Sequence, residues 1–77
     1  MKIVLQRVKR AAVKVEHKIS GKIEKGVCLL VGIEKGDSEE DARYLANKSA
    51  ELRIFPDEEG KMNLSLLDIK GEVLAVS

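Results

Sequence analysis

Branched apolar residues crowd the start of the chain. Ile3 to Val8 reads as a strand rich in them, and a second such stretch follows at Ala11 to Glu16. In the second stretch Val13 and Val15 alternate with Lys14 and Glu16, the period-two signature of a half-buried strand. His17-Lys18 reads as a turn, and Ile19 to Ile23 as a short strand weakened in its middle by Gly21. Beyond Lys25-Gly26, the run from Val27 to Ile33 is apolar without a break, which predicts a strand buried on both faces. Glu34-Lys35-Gly36 ends it.

The period then changes to that of a helix. Asp37 is the expected N-cap, with Glu40 three residues on to reach back in a capping box. Acidic residues at 39, 40 and 41 suit the positive end of the helix dipole. Ala42, Leu45, Ala46, Ser49 and Leu52 share one face, which predicts a helix docked on a sheet. Pro56 ends this pattern, and Asp57-Glu58-Glu59-Gly60 is a polar turn. Met62, Leu64 and Leu66 alternate with Asn63 and Ser65 as a short extended segment, and Asp68-Ile69-Lys70-Gly71 turns again. Val73 to Val76 begins an apolar strand that resembles the middle of a core, with Ser77 last. Terminal backbone is usually polar and poorly held, so more chain is expected to follow. The fold expected is a β-sheet-dominated α/β domain with outer helices, truncated, in which residues 1–77 form the N-terminal part of one domain.

Composition sharpens this. A chain of 77 residues buries only about 60% of the surface it exposes when unfolded, so a partner or further sequence is the expected source of stability. A disulfide framework or Cys/His zinc site is excluded, because the only members are Cys28 and His17. Cys28, inside an apolar run with no neighbouring base, reads as a small core residue rather than a nucleophile or redox centre. His17 reads as an exposed turn residue, with nothing nearby to orient it as a base. The opening residues lack the apolar core of a signal peptide, since Gln6 and Arg7 interrupt it, and no run nears the roughly 20 apolar residues of a membrane span. A soluble, cytoplasmic protein without membrane association is expected.

Charge is unevenly placed. Residues 1–25 carry eight Lys or Arg against two Glu, and residues 26–77 carry six basic against eleven acidic residues. The basic segment could face nucleic-acid phosphates. The simpler reading is that Lys14, Lys18, Lys22 and Lys25 sit in solvent and protect strand edges.

Several stretches together resemble the D-aminoacyl-tRNA deacylase family, also called D-tyrosyl-tRNA deacylase. They are Met1-Lys2-Ile3-Val4-Leu5-Gln6-Arg7-Val8 with Ala11-Ala12-Val13-Lys14-Val15, and Gly26-Val27-Cys28-Leu29-Leu30-Val31-Gly32-Ile33 leading to Asp37. Leu52-Arg53-Ile54-Phe55, Gly60-Lys61-Met62-Asn63-Leu64-Ser65 and Val73-Leu74-Ala75-Val76-Ser77 complete the set. The resemblance implies a homodimer of β-sheets with helices outside and an active site at the subunit interface. It implies hydrolysis of the ester of D-aminoacyl-tRNA, with glycyl-tRNA as an additional substrate; no cofactor is expected, and the acids of Asp37 to Asp41 suit a helix start better than a metal site. The family's site is built from a Ser-Gln-Phe-Thr-Leu motif, of which only the first residue is present as Ser77, and a later Asn-x-Gly-Pro-x-Thr motif, absent here. The Gly-Pro unit, with a cis peptide, enters the neighbouring subunit's pocket, where backbone carbonyls exclude L-amino acids. Family chains are about twice this long, so the 77 residues alone are expected to be inactive.

Two residues are candidate site members. Ser77 matches the start of the first motif; apart from the resemblance it is only a terminal serine. Arg7 shares a strand face with Ile3 and Leu5, and a guanidinium there suits holding carbonyls or phosphates in a fixed fork. The resemblance suggests that it supports the Gly-Pro unit, and a snorkelling arginine at a strand end is an equal reading. Lys61 and Met62 read more simply as solvated and core residues than as tRNA or pocket contacts, and Phe55 as a packing anchor. No triad can be assembled around one histidine. The alternative function is a non-catalytic RNA-binding or interaction module that retains the N-terminal sheet.

Overall fold

The computed structural model describes residues 1–77. In chain order its elements are β1 (Lys2–Val8), β2 (Ala11–Val15), β3 (Lys18–Ile23), β4 (Gly26–Gly32), α1 (Glu39–Glu51), β5 (Phe55–Pro56), β6 (Met62–Leu64) and β7 (Glu72–Val76). The apolar run expected to be a buried strand is β4, the centre of a three-stranded sheet ordered β1-β4-β7. It pairs antiparallel with β1, from Lys2↔Gly32 to Val8↔Gly26, and parallel with β7, from Gly26↔Glu72 to Leu30↔Val76. Strands β2–β3 and β5–β6 form separate antiparallel hairpins. The architecture is a mixed α/β fold, sheet-dominated with one outer helix. No helix is long and apolar enough to cross a membrane.

Alternation sorts the sheet into two unequal faces. Ile3, Leu5, Val27, Leu29 and Val31 point to one side, where Val27 and Leu29 meet Phe55 and Leu66 to make the core. Phe55, 1% exposed, is the anchor that its position before Pro56 suggested. On the other side the expectation of burial fails: Cys28 is half-buried and Leu30 is 52% exposed. The β2–β3 hairpin covers only one end of that face, where Gly21 approaches the Leu74 side chain. At the other end Val4, Leu30 and Val76 have no covering layer in this chain.

The first hairpin turns one residue earlier than expected. Glu16 and His17 both take positive φ, 51° and 69°, and Val15 pairs with Lys18. Two left-handed central residues give a turn whose twist matches that of the flanking strands, at a steric cost for each side chain.

The helix cap also shifts by one. Ser38, not Asp37, is the N-cap, and Asp41 rather than Glu40 completes the capping box: the Asp41 backbone N–H donates to Ser38 Oγ and the Ser38 N–H to Asp41 Oδ2 at 3.0 Å. Asp37 is occupied elsewhere. Its Oδ1 accepts from the Met1 amino group at 2.8 Å, and its Oδ2 accepts from the Glu34 N–H. The carboxylate thus ties the start of β1 to the loop leaving β4. Docking of α1 is narrower than its sequence implied. Leu45 and Ala50 are half-buried and Ser49 is buried, its hydroxyl donating to the Leu45 carbonyl at 2.8 Å, while Ala42, Ala46 and Leu52 are exposed.

Two carboxylates are held below their ordinary range. For Asp37 the cause is first the Met1 amine and then the Glu34 N–H. For Asp68 it is first the Ser65 N–H, then the Ser65 hydroxyl, and least the charge of Arg53. The Met1 amine is raised in turn, chiefly by its hydrogen bond to Asp37. A lowered carboxylate contributes stability above its unfolded value of 3.8 and loses it as pH falls through the folded value; the raised amine contributes below 8.0 and loses it as pH rises through its folded value. The Met1–Asp37 pair is therefore fully expressed between these limits. Asp37→Asn is expected to lower the urea midpoint at about pH 6, with the deficit shrinking as pH falls through the lowered folded value of Asp37. A deficit that stays constant as pH is lowered would show that the charge is not what matters.

Candidate functional site

Arg7 is placed by the register of β1 on β4. It lies opposite Val27, at the end of the face that carries Ile3 and Leu5, and its head reaches past the core edge. Its Nη1 donates to the Ile54 carbonyl at 2.7 Å and to Met62 Sδ at 3.2 Å. Arg7 therefore clips the β5–β6 hairpin to β1. Met62 is not the core residue that its apolar character suggested. It is 57% exposed, with its sulfur turned to the guanidinium, while Lys61 is solvated as expected and pairs loosely with Glu59 at 3.7 Å. Around Arg7 opens a groove of about 600 Å³ lined by Val8, Lys9, Lys25, Phe55 and Pro56.

Ser77 follows β7 at the opposite end of the sheet. With Lys2, Val4, Leu30, Gly32 and Val76 it lines a shallow trough of about 460 Å³ on the uncovered face. This is an apolar wall beside one hydroxyl and one ammonium. Such a surface can accept an apolar side chain and offer a hydrogen bond at its rim. No acid–base pair flanks Ser77, and His17 lies exposed in the turn between β2 and β3.

The structure does not bring the two candidates together. Arg7 is level with Val27 and Val73, whereas Ser77 lies beyond Val76, which is level with Leu30. That offset is roughly 13 Å along the strands and about 10 Å across them, since β4 stands between β1 and β7. What the sequence reading missed is the company Arg7 keeps. Lys9 and Lys25, distant in sequence, converge on its groove, and the register of β1 on β4 that brings them there was the only signal.

Fold and site together define a sheet-centred α/β domain with a cationic groove at one end of its central sheet and a serine-bearing apolar trough at the other. The family model described as D-Tyr-tRNA(Tyr) deacylase matches residues 4–77. D-aminoacyl-tRNA deacylases of Geotalea uraniireducens, Thermosipho africanus and Bacillus pumilus are 60%, 61% and 60% identical over 77 residues, covering 100% of this chain and 50%, 52% and 52% of theirs. A solved structure named c-Myc DNA Unwinding Element Binding Protein superposes with a TM-score of 0.93 at 40% identity, over 100% of this chain and 52% of that one. The chain belongs to the D-Tyr-tRNA(Tyr) deacylase family. It spans about half the length of the curated relatives it matches.

The clip made by Arg7 is open to test. Arg7→Ala removes both hydrogen bonds to the β5–β6 segment and is expected to cost roughly 1 kcal/mol in urea denaturation. Arg7→Lys, whose ammonium also has donors for two acceptors on one nitrogen, should recover part of it. Full stability of Arg7→Ala would remove Arg7 from this role.

Proposed function

We propose that the protein acts in translational quality control by hydrolysing the ester that joins a D-amino acid to tRNA, releasing free D-amino acid and tRNA, with mischarged glycyl-tRNA as a further substrate. The observation that carries this reading is the family match over residues 4–77, with deacylases about 60% identical along the whole chain. Residues 1–77 would be the N-terminal part of a single deacylase domain. Water adds to the ester carbonyl, the acyl–oxygen bond to the terminal ribose breaks, and the ribose hydroxyl leaves with a proton. The charge developing on the carbonyl oxygen calls for backbone N–H donors rather than a triad.

Ser77 is assigned as the first residue of the active-site motif, with the apolar trough beside it. Arg7 is assigned as a positioning residue for a Gly-Pro unit that reaches the neighbouring subunit's pocket. The separation of Ser77 and Arg7 within one chain suits a homodimer whose site forms at the interface, where one chain supplies what the other lacks. A charged-tRNA substrate supports a cytoplasmic location for the protein.

A second reading is a nucleic-acid-binding module without catalysis. It is favoured by the similarity to a protein whose name describes binding of a DNA element. Incubation of D-tyrosyl-tRNA and L-tyrosyl-tRNA with the longer protein, in which residues 1–77 are joined to the rest of the deacylase domain, separates the two, while residues 1–77 alone are expected to hydrolyse neither. The deacylase reading predicts rapid loss of the D-ester and loss of the L-ester only at the buffer rate. Binding of tRNA with neither ester hydrolysed above the buffer rate would replace it with the second reading.

A further inference from the structure

The groove at the Arg7 end of the sheet gathers two charges, those of Lys9 and Lys25, that ester hydrolysis does not use. The β1–β4 ladder closes with Val8 opposite Gly26, so the next residues outward are Lys9 on one strand and Lys25 on the other. Both line the groove with Arg7. Two exposed ammonium groups lining one groove with a guanidinium give it a positive potential that an anion would offset. No carboxylate in the chain relieves it. The ion pairs formed are Met1–Asp37 and Lys61–Glu59, both elsewhere. Glu72, brought to this end by pairing with Gly26, turns its carboxylate to the Glu24 N–H at 3.0 Å. Arg7 itself is only partly engaged. Both of its hydrogen bonds leave from Nη1, so Nη2 and Nε keep their protons available.

We propose that this groove seats a backbone phosphate of RNA, held between the Lys9 and Lys25 ammonium groups, beside an Arg7 guanidinium whose free edge is kept for the Gly-Pro unit. The assignment rests on the tRNA-directed reading above and adds to it a point of contact away from Ser77. The rest of the lining supports a phosphate rather than a base as the group bound. Phe55 is 1% exposed and offers no face for stacking, so the groove supplies charge without a means of reading sequence. The excess of basic residues over residues 1–25, spread over β1, β2 and β3, adds a long-range attraction for a polyanion.

The test is fluorescence anisotropy with a labelled single-stranded RNA oligonucleotide and the DNA oligonucleotide of the same sequence, on the intact protein in its native assembly. Lys9→Glu with Lys25→Glu is expected to weaken both by ~tenfold or more and to flatten the salt dependence, each lost phosphate contact removing about 0.7 from the slope of log K against log salt. Equal loss for both oligonucleotides follows because the phosphodiester is common to them. Lys9→Gln with Lys25→Gln removes the charges without reversing them and should give a smaller loss in the same direction, which keeps the test valid if the reversal fails to fold. Lys14→Glu, an equal change of charge per site on β2, should leave affinity within about twofold. Unchanged binding by the neutral pair, or an equal loss from Lys14→Glu, would overturn the proposal. Hydrolysis of the D-ester is read separately. A protein that hydrolyses it but binds RNA regardless of Lys9 and Lys25 refutes the groove alone, and one that binds RNA through these lysines without hydrolysis upholds the groove and refutes only the deacylase reading.

Discussion

The close approach of β4 to β7 at Gly26 is the constraint on which this structure depends. A parallel pair cannot be joined by a short turn, so the chain must leave β4, build α1 and the β5–β6 hairpin, and return in register. The return is possible because Gly26 presents no side chain to Glu72; a Cβ there would overlap the Glu72 carbonyl, nitrogen and carbon. Gly71 relieves the same crossing from the other side, where a Cβ would lie 2.6 Å from the Leu66 side chain and 3.3 Å from the Gly26 Cα. The Glu72 N–H donates to the Lys25 carbonyl at 3.0 Å, fixing the level at which β7 begins. From that level follow the placement of Ser77 at the far end and the gathering of Lys25, Lys9 and Arg7 at the near one.

The same crossover explains why the two faces of the sheet differ. Everything between β4 and β7 contributes to one side, so Val27, Leu29, Phe55 and Leu66 form the core there. The other side receives only the β2–β3 hairpin, and Val4 and Leu30 stay 63% and 52% exposed. An apolar face of this kind is costly in water. It lies beside Ser77, where the proposed interface site would be completed by a second subunit, and a small core of this size gains most from such a partner.

Much of the fold was legible because its signals are local. Alternation of Val13 and Val15 with Lys14 marked a strand, the apolar run from Val27 marked the sheet centre, and Asp57 to Gly60 marked a turn that the structure builds with Asp57 Oδ1 accepting from the Glu59 and Lys61 N–H groups. What was misread depends on long-range partners. Asp37 has the composition of a cap, but the Met1 amine, distant in sequence, claims its carboxylate and leaves the role to Ser38. Continuous hydrophobicity in β4 implied two covered faces, yet it cannot say whether this chain supplies both layers. Met62 looked like core until the register of β1 brought Arg7 to its sulfur. Of the site, Arg7 and Ser77 were legible as individual residues, but their separation and the Lys9–Lys25 pairing arise only once strand order and register are known.

Amide hydrogen exchange on a Gly26→Ala variant tests the dependence on this crossing most directly. Inserting a methyl group against the Glu72 backbone should cost about 2–3 kcal/mol. Protection should fall first at the amides of Val73 to Val76, while the β1–β4 ladder retains its order of protection. Val73 to Val76 amides as slow to exchange as in the parent chain would contradict the view that the β4–β7 approach sets the fold.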